Sequence, residues 1–187
     1  MGQYYTVANV DKKQMFSPDG IKLTEHSWIG NDSMQKLYEL LMTDWKKDRV
    51  VVAGDYFEAS ENKDVGLGDI EGQIYDQEWD RPDLTIKGTD EDHIQEQQTR
   101  FYISYDKKEF IDLSKLPKFT PYWDSKDWIF NPLSLMIACG NGRGGGDFDE
   151  ENQGFEFVGR WAGNRVGIEE KAPKGFKEIK PDFKEKE

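Results

Sequence analysis

The chain has 187 residues, 25 basic against 37 acidic side chains, and a net charge of −12. Aromatic residues at 13% and hydrophobic residues at 36% describe a folded acidic protein with an aromatic-rich core, not a disordered chain. A single cysteine excludes an internal disulfide. No apolar run approaches the roughly 20 residues of a membrane span, and the first residues lack a signal peptide's basic-then-apolar order, so the expected compartment is the cytoplasm.

Residues 4–10 are rich in β-formers and run into the turn Asp11-Lys12-Lys13, after which Gln14-Met15-Phe16 can pair back. Ser17-Pro18-Asp19-Gly20 places proline and glycine where a tight turn wants them, and a short third strand is expected over 21–24. Asn31-Asp32-Ser33 supplies a helix cap. Met34, Leu37, Tyr38, Leu41, Met42 and Trp45 recur at helical spacing, predicting a helix over about 33–47. A strand over 49–53 closes this part.

The pattern begins again near Thr99. Residues 100–105 read as a strand, Asp106-Lys107-Lys108 as a turn and 109–113 as the returning strand. Residues 128–139 are apolar, and Asn131-Pro132 looks like a helix start, with proline tolerated in the first turn. A glycine-rich run, 140–146, ends that helix. A strand pair over 154–161 and 165–168 follows, and then a tail of alternating Lys and Glu whose end is expected to be mobile.

Both halves carry a strand, an Asp-Lys-Lys turn, an apolar helix and a Trp-x-x-(Asp/Asn)-Arg-Val strand, at Trp45–Val50 and Trp161–Val166. The expected fold is α+β. Two pseudo-repeated hairpin–helix–strand units, 1–54 and 99–168, share an antiparallel sheet in one domain, with an acidic insertion at 55–98 and a tail at 169–187.

The charge is concentrated. Residues 55–96 hold fourteen acids against three bases, whereas residues 1–54 are neutral. Such a segment repels phosphate, so direct nucleic-acid binding is not expected, and it attracts a strongly basic protein surface. Asp69, Glu71, Asp76, Glu78, Asp80, Asp90, Glu91 and Asp92 are the candidate contacts, with Trp79 as an anchor. Ile70, Ile74, Tyr75, Leu84 and Ile86 predict that the segment is partly docked on the rest of the chain.

Three constellations invite chemistry. The glycines at 140–146 allow backbone N–H groups to converge on an anion, with Arg143 as a clamp, although a purely structural loop needs the same glycines. It is neither a P-loop nor a dinucleotide fingerprint. Arg143, Asp147 and Asp149 together make a candidate site for a divalent metal and a metal-dependent hydrolase or nuclease. His26, His93 and Cys139, with a carboxylate, are chemically competent to hold zinc if three distant segments converge. Otherwise Cys139 reads as a buried, inert thiol and His93 as solvated.

Met1-Gly2-Gln3-Tyr4-Tyr5, the Asp11-Lys12-Lys13 turn, residues 52–56 and 105–110, the run from Gly140 to Asp147 and the stretch from Val158 to Arg165 together resemble a widespread family of uncharacterised bacterial and phage proteins. The resemblance covers most of residues 1–168, brings no catalytic residues with it, and leaves out the acidic segment. It implies cargo of phages or mobile elements, similar to the inhibitors of type II CRISPR nucleases. On that footing the expected partner is a host RNA-guided nuclease, blocked in nucleic-acid loading by the acidic surface.

Overall fold

Each Asp-Lys-Lys turn reverses the chain by placing its second lysine at positive φ, 53° at Lys13 and 52° at Lys108. The computed structural model describes all residues except 1, 19–21, 62–64, 85, 87, 89, 121–124, 145–146 and 185–187; Glu61 is described for its backbone alone. Around the first turn, β1 (Tyr5–Asn9) pairs with β2 (Gln14–Phe16). Helix α1 (Asp32–Met42) starts on Asn31, whose side chain accepts from the N–H groups of Ser33 and Met34. Strand β3 (Asp48–Gly54) then returns beside β1.

Helix α2 (Glu91–Gln97) precedes the second turn, which joins β4 (Phe101–Ser104) to β5 (Glu109–Asp112). A small hairpin follows, β6 (Lys118–Phe119) with β7 (Trp128–Ile129). After it come α3 (Leu133–Met136), β8 (Ala138–Cys139), β9 (Arg165–Glu169) and β10 (Lys177–Glu178). The main sheet runs β10-β5-β4-β9-β3-β1-β2, with β8 parallel to β3 and β10 parallel to β5; its other pairings are antiparallel.

The seam between the halves is the antiparallel pair β3–β9, where Arg49 lies opposite Arg165. Equivalent bonds recur on either side of it. Arg49 donates from its backbone N and Nε to the two oxygens of Asp11, as Arg165 does to Asp106. Asn9 bonds Asp48, and Ser104 bonds Asn164. The indole of Trp45 donates to Gln14, and that of Trp161 to Glu109. Lys47 and Gly163 occupy the same turn position with φ of 69° and 71°.

Strand alternation divides the core. Val50 and Val52 face α1 and the larger cluster with Trp45, Trp161, Tyr102 and Leu135, while Val51 and Ala53 face Leu67, Ile70 and Ile74 on the other side. The acidic segment therefore covers the second face of the first half, where Ala8, Val51 and Ala53 are small enough to admit it. The corresponding place beside β9 is taken by Tyr105 and Glu169 together with Lys46 and Lys47 of the first half. Tyr105 bonds Glu169 and approaches Gly167 so closely that a Cβ there would lie 2.9 Å from its hydroxyl.

Several elements differ from expectation. Residues 24–26 form a 3-10 turn instead of a strand, because coiling there buries Leu23 and His26 together; Ile21 lies outside the described residues. Helix α1 stops at Met42, and the backbone N–H of Trp45 folds back to the carbonyl of Leu40. Helix α3 is a single turn, since Ile137 offers its carbonyl to Val52 and the chain joins the sheet. Residues 154–161 are not a strand: Gly154 and Gly159 sit at positive φ, and the N–H groups of Gly159 and Trp161 bond the carbonyls of Leu135 and Met136. The tail is built in as far as Lys184. It pairs β10 with β5 and buries Ile179 and Phe183, the latter against Phe130, Phe148 and Phe157.

Candidate functional site

The glycine-rich loop closes on its own carboxylate. Asp147 accepts from the N–H groups of Gly142 and Gly144, each at 2.8 Å, with one oxygen, and from the Tyr5 hydroxyl at 2.6 Å with the other. The anion that the converging amides select is thus internal. Asn141 completes the frame by exchanging two bonds with the backbone of Phe148. Burial and the Asp147 carboxylate raise the pKa of the Tyr5 hydroxyl, so the phenol stays the donor. Gly140 carries no side chain because a Cβ there would meet Cβ of Phe57 at 2.8 Å, and it holds φ of 82°.

The residues proposed for metal chemistry take separate roles. Arg143 donates to the carbonyl of Tyr56. Asp149 turns away from the loop and accepts from the backbone of Glu151 and the side chain of Asn152. Replacing Asp147 by alanine strands the phenol and two amides at once. A loss of about 2–4 kcal/mol is expected from bonds of roughly 1.5–3 kcal/mol each to a charged acceptor, only partly replaced by water. Urea denaturation measures it, and a variant within about 0.5 kcal/mol of the parent would remove Asp147 from this anchoring role.

The zinc candidates lie on three different elements. His26 is buried in the 3-10 turn before α1. His93 sits on α2 and bonds Asp90 at 2.7 Å. Cys139 belongs to β8 in the second core cluster, where burial pushes its thiol up to about 12. Among the described residues, no group of three or more His, Cys, Asp or Glu side chains gathers at metal-binding range.

The acidic candidates fall on two sides of the sheet. Asp69 is engaged: Arg49 donates to both its oxygens and to the Gly66 carbonyl, and so clamps the segment onto the sheet. Glu71, Asp76, Glu78 and Asp80 are exposed on the docked segment and make no ion pair among the described residues. Asp80 also extends the edge of β2 through backbone bonds with Lys13 and Met15. Trp79 is half-buried against the second core cluster. Asp90, Glu91 and Asp92 instead begin α2, which packs against the α1 side through Gln97 and Gln35.

Sequence reasoning missed three groups at the Asp147 end of the molecule. Tyr5 anchors the loop from 142 positions away. Gln3 is fully buried beside Gly54, Gly140 and Gly144, and neither of its amide atoms has a hydrogen-bond partner among the described residues. Tyr4 and Tyr56 are exposed. The start Gln3-Tyr4-Tyr5 shows strand alternation, but alternation alone does not tell which tyrosine faces in. Elsewhere, a surface cleft of about 230 Å³ between residues 111–117 and 178–182 is rimmed by Lys115, already paired with Asp112 and Glu178. No family model, no curated protein and no solved structure matches the chain.

Proposed function

We propose that this chain is a protein-binding inhibitor, carried by a phage or mobile element, that presents the docked acidic segment to the basic nucleic-acid channel of a host RNA-guided nuclease. One observation carries the reading: Glu71, Asp76, Glu78 and Asp80 stand exposed and make no ion pair among the described residues, on a segment that Arg49 bonds and that buries Leu67, Ile70 and Ile74 against the sheet. Fixed, uncompensated carboxylates steer a basic surface and lose little entropy on binding it. A channel that holds a heteroduplex by its backbone offers the complementary charge.

Purified protein in micromolar excess should suppress target cleavage by a type II nuclease, and suppression should fade as salt shortens the Debye length from roughly 10 Å at 0.1 M to about 3 Å at 1 M. Replacing Glu71, Asp76 and Glu78 by lysine should abolish most of the effect, whereas Arg143→Ala should keep it. Unchanged cleavage across a panel of such nucleases would end this reading. So would a charge-reversed variant that inhibits like the parent while Arg143→Ala does not.

A further inference from the structure

We infer that Asn141–Gly142 is a site of spontaneous covalent modification: water converts the Asn141 carboxamide to an acid through a cyclic imide, at a rate set by the bonds of Asp147. The conversion is one-way and releases the glycine-rich loop. It is independent of what the acidic segment binds.

Asparagine is a thermolabile residue. Its carboxamide carbon is open to attack by the backbone nitrogen of the following residue, and a side chain on that residue obstructs the approach. Of the seven asparagines, only Asn141 precedes glycine, which has no Cβ to interfere. Gly142 is exposed, and a Cβ there would meet nothing within 4 Å, so water and hydroxide reach its amide. Hydroxide takes the Gly142 amide proton, the nitrogen lone pair bonds to Cγ of Asn141, and the Cγ–Nδ2 bond breaks. The departing nitrogen takes up a proton and leaves as ammonia. Water then adds to one of the two imide carbonyls and breaks its bond to the ring nitrogen, giving aspartate or isoaspartate. Water enters, ammonia leaves, and nothing is oxidised or reduced.

The fold opposes the first step at both reacting groups. The Asn141 carboxamide is held on Phe148, with Nδ2 donating to the carbonyl at 2.6 Å and Oδ1 accepting from the N–H at 2.9 Å. The Gly142 N–H donates to Asp147 at 2.8 Å. A carboxylate beside that amide disfavours the anion that must form. Tyr5 donates to the other oxygen of Asp147 at 2.6 Å and keeps it in place. Attack therefore waits on a local opening in which Asp147 and Phe148 both let go.

The product cannot restore these bonds. An acid at position 141 has no Nδ2–H for the Phe148 carbonyl, and it brings a second negative charge to the loop that Asp147 closes. Isoaspartate also adds a carbon to the main chain, directly before a glycine held at φ of 90°. Arg143, which donates to the Tyr56 carbonyl, is freed with the loop, and the bond after it opens to trypsin.

Incubation of the full chain in mildly alkaline buffer, with peptide mapping by mass spectrometry at intervals, tests the site. In the native parent Asn141 should persist while the urea-unfolded chain loses it to a mixture of aspartate and isoaspartate. Asp147→Ala, shown to be folded by its melting transition, should deamidate at least about tenfold faster than the parent, the ratio that one hydrogen bond to a charged acceptor supplies. Tyr5→Phe removes one bond to Asp147 but keeps the carboxylate, so its rate should fall between the two; it carries the test if Asp147→Ala does not fold. Trypsin should cut Asn141→Asp after Arg143 faster than it cuts the parent. Equal rates in the native and unfolded parent, a folded Asp147→Ala or Tyr5→Phe no faster than the parent, or parental cutting of Asn141→Asp would each overturn the inference. Aspartate formed without isoaspartate would overturn the imide route.

Discussion

Gly163→Ala should destabilise the protein by about 2–4 kcal/mol, from overpacking of roughly 1–3 kcal/mol and a left-handed backbone penalty of roughly 1. The Cβ it adds would lie 1.6 Å from the carbonyl oxygen of Val65, which passes over the turn as the acidic segment crosses onto the sheet. Positive φ alone does not explain a large effect, because Lys47 holds φ of 69° at the equivalent turn in the first half. The excess must come from pushing the segment away. Chemical denaturation should show the loss, and limited proteolysis should show earlier cutting within 60–75. A variant with parental stability and unchanged cutting would mean that the segment does not rest on this turn. A milder companion, Arg49→Ala, should loosen the same segment by removing its bonds to Gly66 and Asp69 while keeping the glycine.

Acidification should weaken the fold well before its carboxylates protonate, through His26. Burial lowers its pKa from 6.5 to about 4, and the nearby Lys22 carbonyl offsets only part of that. Between these values the unfolded chain binds a proton that the folded chain refuses. Stability is therefore complete above pH 6.5 and declines toward pH 4, by up to roughly 3 kcal/mol at about 1.4 kcal/mol per pH unit. The carboxyls of Asp106 and Glu109, held below their ordinary range by Arg165 and Arg160, contribute stability that is lost only at lower pH. His93 acts in the opposite sense, since Asp90 raises its pKa, but it is only partly buried, its partner is exposed, and the pair is screened by solvent. Melting curves from pH 7.5 to 4.5 should show the decline, and His26→Gln should flatten it whatever its stability at neutral pH. A parental curve level across that range would rule out this role for His26.

Much of the fold was legible because it is local. An Asp-Lys-Lys reversal, an Asn31 cap and an alternating β-rich run each act over a few residues, and β1, β2, α1, β3, β4 and β5 fall where those signals place them. What escaped was set by distant partners. Residues 154–161 show strand-like alternation, yet the N–H groups of Gly159 and Trp161 go to α3 carbonyls more than twenty positions earlier and those of Phe157, Val158 and Arg160 close local turns. The alternating Lys and Glu of the tail hide Ile179 and Phe183, whose burial depends on a cleft made by other elements. At the glycine-rich loop the sequence shows an acid beside the glycines. Only the fold shows that this acid points inward to Tyr5, which turns an apparent anion site into a locked one.

The reach of the main core has a consequence for vectorial synthesis. Tyr5, Val7 and Trp45 share their cluster with Leu135, Trp161 and Phe183. Strand β3 lacks its parallel neighbour until residues 138–139 have been made, and the aromatic nest of Phe130, Phe148 and Phe157 lacks its centre until Phe183 arrives. An emerging first half therefore exposes apolar surface for most of translation, with closure waiting on contacts of high sequence separation. During that interval the strong negative charge of residues 55–96, the second stretch to emerge, keeps nascent chains apart by mutual repulsion before any partner is met.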